Sequence, residues 1–90
     1  MLHVVAYDIA SAGRLRRVSA LCEDYGLRIQ KSVFEFRLAP PVFAAFWRRL
    51  GMLLDASEDS VVAYPVDGCG ARKIRTLGRR VRPGDGAYVF

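Results

Sequence analysis

A short apolar segment near the start of the chain, LHVVAYDI at residues 2–9, constrains the fold more than any other feature. Its length and its β-branched and aromatic content are typical of a β-strand. Apolar side chains occupy both of its faces, at even positions from Leu2 to Ala6 and at odd positions from Val5 to Ile9. Because neither face is polar, we expect both faces of this strand to be covered.

The next segment has the periodicity of an amphipathic helix. Ser11, with Gly13 in the same turn, is a suitable N-cap, and Gly26 is a suitable C-terminal stop. One apolar stripe recurs at helical spacing between them and consists of Leu15, Val18, Leu21, Cys22 and Tyr25. The stripe favours a core position for Cys22.

Residues 27–38 are again strand-like, and they fit either one bent strand or a hairpin that turns near Lys31–Ser32. Pro40–Pro41 then open a second helix, at a position where proline is tolerated. We expect its apolar stripe to be buried, and that stripe consists of Phe43, Phe46, Trp47, Leu50, Leu53 and Leu54. Residues 60–66 predict a further strand, in which Pro65 indicates a sheet edge or the strand end.

The order β-α-β(β)-α-β predicts an α+β fold, the ferredoxin-like β-α-β-β-α-β sandwich with an antiparallel sheet and both helices on one face. We expect residues 1–78 to form this single domain and residues 79–90 to form a C-terminal strand extension. The other sheet face is left bare, yet 52% of the 90 residues are hydrophobic. A second copy of the chain, in a twofold dimer, is the expected cover for that face.

The last part of the chain is rich in glycine, proline and charge. DGCG at residues 67–70 predicts a loop, residues 72–76 are compatible with a short strand, and AYVF at 87–90 predicts a terminal strand. Cys69 lies among these glycines without an evident role, and the two cysteines have no metal or redox spacing. His3, at the other end of the chain, is expected to be a core or edge residue without a catalytic role.

The net charge of +5 is distributed unevenly. Residues 72–82, RKIRTLGRRVR, contain six basic residues and no acidic one, so this segment accounts for more than the whole net charge. Such a block indicates a polyanionic partner, most simply nucleic acid, and the alternative is a solvated tail that aids solubility. A second basic group lies in the first turns of the first helix, where the helix dipole disfavours cations. It consists of Arg14, Arg16 and Arg17.

Asp8 lies at the C-terminal end of the first strand. In α/β arrangements, loops gather and ligands approach at this end of the strands. A carboxylate is a hard oxygen ligand that suits Mg²⁺ or Mn²⁺. A dimer axis near the strand ends would bring two copies of Asp8 together, and the adjacent arginines would then hold a phosphodiester over the pair. The structural alternative, at least as probable from spacing alone, is that Asp8 caps the helix or pairs with Arg14 or Arg17.

The sequence has no uninterrupted apolar stretch of the ~18 residues that a membrane helix requires. Its start, MLHVVAYD, is too short for a signal peptide and lacks the basic first region. We therefore expect a cytoplasmic protein without a membrane partner.

Several motifs together resemble the CRISPR-associated protein 2 family, the smaller member of the spacer-acquisition pair. They are YDI at 7–9, RLRRV at 14–18, YGLRIQKSVFE at 25–35, SVVAYPV at 60–66 and the later ARKIRTLG. The resemblance covers most of residues 3–78 and implies a ferredoxin-like fold, a homodimer formed through the sheets, and a C-terminal strand at the dimer interface that pairs with the partner's sheet. RRVRPGDGAYVF, which follows residue 78, matches no pattern of the family.

The resemblance also implies roles for individual residues. Asp8 would coordinate Mg²⁺ or Mn²⁺ in a phosphodiesterase mechanism, and Tyr7 would shape the same catalytic strand end. Ser32 and Phe34 would support the site, although a turn residue and a core residue are the structural alternatives. The candidate nucleic-acid-binding residues are Arg14, Arg16, Arg17, Arg28, Arg72, Lys73 and Arg75.

Two functions from different classes remain open at this point. One is a metal-dependent endonuclease that cleaves RNA or DNA, with Asp8 as the residue that coordinates the metal ion. The other is an architectural adaptor in CRISPR adaptation, a dimer that bridges the CRISPR integrase and binds duplex DNA through backbone contacts without catalysis. An RNA-recognition module is disfavoured, because FEF at 34–36 lacks the glycines and the basic lead of its aromatic motif.

Overall fold

The structure, a computed structural model, describes residues 1–78, which form four strands and three helices. The first six elements follow the predicted order, and the third helix was not predicted from the sequence. The elements are β1 (Leu2–Asp8), α1 (Ala12–Tyr25), β2 (Leu27–Gln30), β3 (Val33–Arg37), α2 (Pro40–Leu53), β4 (Ser60–Val66) and α3 (Gly68–Arg72). Residues 27–38 form a hairpin that turns at Lys31 and Ser32, which resolves the alternative of one bent strand. The strand predicted at 87–90, and the extension at 79–90 as a whole, lie outside the described residues.

The four strands form one antiparallel sheet in the order β2-β3-β1-β4, which is the ferredoxin-like arrangement. β1 is a central strand, as its two apolar faces predict, and β4 with Pro65 is an edge strand. The register of β1 and β4 sets Asp8 opposite Ser60 at one end of the sheet and Leu2 opposite Val66 at the other. This register determines which loops are neighbours of Asp8.

α1 and α2 cover one face of the sheet, and the core between these helices and the sheet is aromatic. Fully buried rings of β3 meet a fully buried ring of α2, with 4.5 Å between the centroids of Phe36 and Phe46. His3 lies at the rim of this core, where its ring stacks on Phe43 at a centroid distance of 3.7 Å. Burial lowers the pKa of His3, which agrees with a packing role.

The predicted ends of α1 are confirmed. The Ser11 hydroxyl accepts a hydrogen bond from the backbone N–H of Arg14, and Gly26 closes the helix by donating its N–H to the Cys22 carbonyl. Gly26 is also required by packing, because an added Cβ would lie 2.5 Å from the Glu35 carbonyl oxygen and from the Phe36 ring. Cys22 is fully buried, as the apolar stripe predicts.

The opposite sheet face carries the even-numbered side chains of β1 and β4. Its exposed apolar residues are on β4, where Val62 is 44% exposed and Tyr64 is 57% exposed. Val4 and Ala6 of β1 and Val33 of β3 are half-buried beside them. Within residues 1–78 neither α1 nor α2 lies on this open face, as the sequence predicts. The short helix α3 reaches only its Val66 end, where an added Cβ at Gly70 would lie 3.2 Å from Val66 Cγ1.

Three local predictions are wrong. Trp47 is 40% exposed, although its stripe is expected to be buried, and its ring stacks on Phe43. DGCG is not simply a loop: residues 68–72 form the short helix α3, capped by the Asp67 side chain, which accepts from the Gly70 N–H at 2.7 Å. Residues 72–76 form no strand, since α3 ends there in a turn.

Candidate functional site

The Asp8 carboxylate lies exposed at the end of β1 and belongs to the row of side chains on the open face. Within residues 1–78, its side chain has no hydrogen bond or ion pair, so it neither caps α1 nor pairs with Arg14 or Arg17. Ser60 is its register partner on β4. The Asp8 carboxylate is therefore without an internal partner in residues 1–78 and is accessible to a cation or to a partner molecule.

Tyr7 points the other way, into the core on the helix side, and is only 5% exposed. Its hydroxyl is hydrogen-bonded to the Ser19 hydroxyl of α1 at 2.8 Å, and its backbone N–H donates to the Ser32 carbonyl at 3.0 Å. Tyr7 thus joins the end of β1 to α1 and to the β2–β3 turn. Its proposed part in shaping the strand end stays a prediction.

Ser32 and Phe34 lie in the turn and core positions that the structural alternatives predict. Ser32 lies in the β2–β3 turn, and its carbonyl receives the Tyr7 bond, whereas Phe34 is fully buried in the core. Within residues 1–78, neither side chain is hydrogen-bonded to the Asp8 carboxylate. The supporting role predicted for Ser32 and Phe34 stays a prediction.

A polar network next to Asp8 fixes the loop between β1 and α1. Asp59, which directly precedes β4, has a side chain with no exposed surface. Its Oδ1 accepts from the Ala10 N–H at 2.9 Å, and its Oδ2 accepts from the Arg14 Nε at 2.7 Å and from the Asp55 N–H at 2.9 Å. One carboxylate therefore connects the Asp8 loop, the first turn of α1 and the α2–β4 loop.

Arg14 is held inside this network. Besides Asp59, its guanidinium donates to Glu58 Oε1 at 2.9 Å, and its side chain is 19% exposed. Hydrogen bonds from Arg14 and from the backbone N–H groups of Ala10 and Asp55 hold the pKa of Asp59 well below its usual range. The hydrogen bonds of Arg14 to Asp59 and Glu58 in turn raise the pKa of Arg14. The Ser57 hydroxyl and N–H lower the pKa of Asp55 in the same loop.

The remaining predicted arginines of α1 differ from Arg14. Arg16 and Arg17 are exposed in the first turns of α1, at the end of the sheet where β1 stops. Within the described residues, no carboxylate is paired with either of them. Arg16 and Arg17 are consequently available to an anion such as a phosphate.

Arg28 lies on β2, at the far edge of the sheet, and has local partners. It donates to the Lys31 carbonyl at 2.6 Å, approaches Glu23 of α1 at 3.5 Å, and stacks over the Phe34 ring at 4.7 Å from the centroid. These contacts order the β2–β3 turn. The side chain is 39% exposed, so it also keeps an accessible surface.

The other predicted basic group lies at the opposite end of β4. Arg72, Lys73 and Arg75 are exposed on and after α3. β4 runs seven residues from Ser60 to Val66, which separates the two ends by about 20 Å. The structure therefore places the sequence-predicted basic residues in two groups at opposite ends of β4, with Arg28 apart from both on β2, rather than in one patch.

Asp59 and Glu58 were not among the residues singled out from the sequence. A usable signal is present, because the acidic loop DASEDS at 55–60 is one of few concentrations of acid in a basic chain. What the sequence does not give is the β1–β4 register that brings this loop beside Arg14.

The described residues contain no group of three or more histidine, cysteine, aspartate or glutamate side chains placed to hold a metal ion. Among residues 1–78, Asp8 is the exposed carboxylate without a partner at this end of the sheet, since the exposed Glu58 is paired with Arg14. Mg²⁺ typically takes one or two carboxylates and keeps several waters. The donor set is thus of the right chemistry for Mg²⁺ and reaches two carboxylates only with a second copy of the chain.

A small α+β sandwich with the strand order β2-β3-β1-β4, an exposed aspartate at the end of β1 and arginines in the first turns of α1 defines a class of small ferredoxin-like proteins. The family model described as "CRISPR associated protein Cas2" matches residues 1–74. The chain belongs to this Cas2 family, and the resemblance read from its motifs is confirmed.

Individual relatives agree with this assignment. The chain is 40% identical over 67 residues to "CRISPR-associated endoribonuclease Cas2 3" of Synechocystis sp., covering 74% of this chain and 73% of the relative. It is 32% identical over 90 residues to "CRISPR-associated endoribonuclease Cas2 1" of Thermodesulfovibrio yellowstonii, covering 100% and 96%. These names support a CRISPR-associated role and nuclease activity in general terms.

Solved structures confirm the fold. The Streptococcus pyogenes Cas2 structure at pH 6.5 aligns with a TM-score of 0.77 at 37% identity, covering 87% of this chain and 100% of that one. A hypothetical protein of Thermus thermophilus, TT1823, aligns with a TM-score of 0.80 at 36% identity, covering 89% and 93%. In residues 1–78, no helix is long and apolar enough to cross a membrane.

Proposed function

We propose that this protein acts in CRISPR adaptation as a homodimer that binds nucleic acid and hydrolyses phosphodiester bonds at Asp8 with Mg²⁺ or Mn²⁺. The observation that carries the proposal is the exposed Asp8 carboxylate, which has no side-chain partner within residues 1–78 and lies at the end of the sheet where Arg16 and Arg17 open α1. The names of the relatives, which include endoribonuclease and endonuclease, point to the same class of reaction.

The proposed dimer forms through the open sheet face. Val62 and Tyr64 leave apolar surface there, and β4 is an edge strand next to the central β1. Asp8 belongs to the same row of side chains as Val4 and Ala6. Two chains that pack these faces together around a twofold axis would therefore place both Asp8 carboxylates on the shared side.

The two Asp8 carboxylates are the residues that would hold the divalent cation. When bound, Mg²⁺ supplies charge neutralisation of the phosphate and activation of a water for attack. The chain's own part is to bind and orient the substrate: the exposed guanidiniums of Arg16 and Arg17 engage phosphate oxygens by charge-assisted hydrogen bonds. Tyr7 and Ser32 hold the end of β1 from the helix side.

The test is a cleavage assay on labelled RNA and DNA, single-stranded and duplex, with Mg²⁺, Mn²⁺ or EDTA. Asp8→Asn removes the charge at nearly constant size, and we expect cleavage to fall at least a hundredfold while the folded dimer is retained. Asp24→Asn is the matched control, because Asp24 is an exposed aspartate near the other end of α1. Cleavage at the full rate in purified Asp8→Asn protein would remove Asp8 from the reaction.

A second candidate is an architectural adaptor that bridges the CRISPR integrase and binds duplex DNA without catalysis. The observation that favours it is the separation of the basic residues into groups at the two ends of β4, about 20 Å apart, which suits an extended duplex better than a single scissile bond. One carboxylate per chain is also sparse for an efficient nuclease.

Spacer acquisition in cells distinguishes the adaptor from the nuclease. The adaptor predicts that Asp8→Asn leaves acquisition intact and that the double variant Arg16→Glu/Arg17→Glu abolishes it. In vitro, neutral Arg16→Gln/Arg17→Gln should lower the salt dependence of duplex binding by about one unit of log–log slope for each arginine that contacts a phosphate. Arg48→Gln, on the exposed side of α2, is the matched control. If the double variants bind duplex DNA and acquire spacers like the wild type, Arg16 and Arg17 are not part of a DNA-binding surface.

A further inference from the structure

We infer that Asp59 is a positioning residue, whose carboxylate fixes the β1–α1 loop and thereby sets the arrangement of Asp8 relative to Arg16 and Arg17. The inference deepens the proposed function and rests on it where cleavage is concerned. It concerns a residue that does not touch the substrate itself and that acts through the loop it holds.

The first step is the geometry of the loop. Asp8 ends β1 and α1 begins at Ala12, so only three residues connect the proposed metal ligand to the helix that carries the arginines. The N–H of Ala10, in the middle of this connection, donates to Asp59 Oδ1 at 2.9 Å. The centre of the β1–α1 loop is thus held by one hydrogen bond to the Asp59 carboxylate, which lies outside the loop.

The second step is the helix side of the same carboxylate. Arg14 Nε donates to Asp59 Oδ2 at 2.7 Å, and Arg14 Nη2 approaches Oδ1 at 3.2 Å, so the pair is bidentate. Arg14 is on the same helical turns as Arg16 and Arg17. Fixing Arg14 therefore fixes the start of α1 from which the two exposed arginines project.

The third step is the anchor itself. Asp59 is attached to the sheet as the residue directly before β4, and Ser60 pairs with Asp8 in the sheet register. Its Oδ2 also accepts from the Asp55 N–H at 2.9 Å, which rigidifies the loop on its own side. With its side chain fully buried, Asp59 is one charged group whose oxygens are all used in joining the three segments.

The chemistry explains why an aspartate is needed. An asparagine at this position has one oxygen that accepts and one nitrogen that donates, so it cannot accept from Ala10 on one side and from Arg14 and Asp55 on the other. Asp59→Asn therefore disrupts the hydrogen bonds that join the β1–α1 loop, α1 and the α2–β4 loop, with little change in side-chain volume. Arg14→Gln breaks only the helix side and leaves the bonds from Ala10 and Asp55, so its effect should be smaller.

The experiment compares wild type, Asp8→Asn, Asp59→Asn, Arg14→Gln and the double variant Asp59→Asn/Arg14→Gln by amide NMR and by cleavage with Mg²⁺. Asp67→Asn is the matched control: Asp67 directly follows β4, as Asp59 directly precedes it, and its side chain also accepts a backbone N–H. All measurements are made at a temperature where every variant is fully folded, so that global stability does not enter.

We expect Asp59→Asn to increase hydrogen exchange at the Ala10 amide at least tenfold and to shift the amide resonances of residues 8–14, while Asp67→Asn affects only residues near α3. We expect kcat to fall by about ten- to a hundredfold in Asp59→Asn and less in Arg14→Gln, and the double variant to be no worse than Asp59→Asn. A role in stability alone would leave kcat per folded molecule unchanged.

The inference is overturned if exchange at Ala10 and the resonances of residues 8–14 are the same in Asp59→Asn as in wild type. It is also overturned if Asp8→Asn abolishes cleavage while Asp59→Asn retains the wild-type kcat. Failure of the proposed nuclease has a different signature, because wild type and Asp8→Asn would then cleave equally while the NMR comparison still decides whether Asp59 fixes the loop.

Discussion

The two faces of the sheet differ in how complete they are within one chain. On the helix side, Phe34, Phe36 and Phe46 are fully buried and the rings pack at centroid distances of 4.5–6.1 Å. On the open side, Val62 and Tyr64 are about half exposed. The helix face therefore contains the buried core of the single chain, whereas the open face leaves apolar side chains uncovered within residues 1–78, where the proposed partner copy would pack.

The proposed chemistry lies at the border of the two faces. Asp8 projects on the open side, while Tyr7, one residue earlier, is buried on the helix side and bonded to Ser19. The helix side therefore holds the strand in place, and the open side presents the Asp8 carboxylate. Changes on the two faces should consequently have different effects on stability and on assembly.

The largest expected effect is on the helix face. Phe46→Ala removes a fully buried ring and leaves a cavity, so we expect the free energy of unfolding to fall by about 3–5 kcal/mol, measured by urea denaturation. Met52→Ala, at a position of α2 that is 76% exposed, is the control and should change it by less than about 0.5 kcal/mol. Equal effects of the two substitutions would contradict the assignment of the core to this face.

The next effect is on the open face and concerns assembly. Val62→Asp places a charge in the proposed interface, twice per dimer, so we expect the dimer dissociation constant to rise at least tenfold, or by about 1.4 kcal/mol. Sedimentation equilibrium measures it, with Met52→Asp as the control on α2. A dimer that is indifferent to aspartate at both positions would show that the chains associate through another surface.

A smaller test uses the two cysteines, which lie in different surroundings. Burial raises the pKa of the Cys22 thiol to about 12, and its side chain is fully enclosed by the core, while Cys69 is exposed on α3. We expect a thiol reagent at pH 8 to modify Cys69 within minutes and Cys22 only on unfolding, as followed by mass spectrometry. Rapid modification of Cys22 in the native protein would show that the helix face is not sealed.

The smallest effect is a pH dependence at the border. Hydrogen bonds from Arg14 and from backbone N–H groups lower the pKa of Asp59 below the value of about 3.9 expected in the unfolded chain. The ionised form is thus favoured by folding, and its contribution is complete above pH 4 and lost as the pH falls through the lowered pKa. We expect the stability gap between wild type and Asp59→Asn to be constant from pH 7 to pH 5 and to narrow below about pH 4. A gap that widens in acid would contradict this sign.

Local signals in the sequence account for much of the fold. Ser11 and Gly26 mark the ends of α1 because capping depends on nearest neighbours, and the two-sided apolar pattern of residues 2–9 marks a central strand. Trp47 was expected to be buried and is not, because the border of a helical stripe depends on how far the neighbouring element reaches. Residues 68–72 form a helix that is capped by Asp67, whereas the glycines in this stretch favour a loop when only the sequence is considered.

The candidate site was predictable only in part. Asp8, Arg16 and Arg17 are close in sequence, so their common end of the sheet follows from the order of the elements. Asp59 is 45 residues from Arg14, and only the β1–β4 register brings the two side chains together. For the same reason, the sequence did not show that Arg14 is engaged internally while its neighbours Arg16 and Arg17 are exposed.

The most direct test of the account is the stoichiometry of Mn²⁺ binding to the purified protein, measured by electron paramagnetic resonance. Because each chain offers one exposed Asp8 carboxylate and the open faces are proposed to meet, we predict one ion for every two chains, with binding lost in both Asp8→Asn and Val62→Asp. One ion bound per isolated chain, or unchanged binding in Asp8→Asn, would contradict a site shared between two copies.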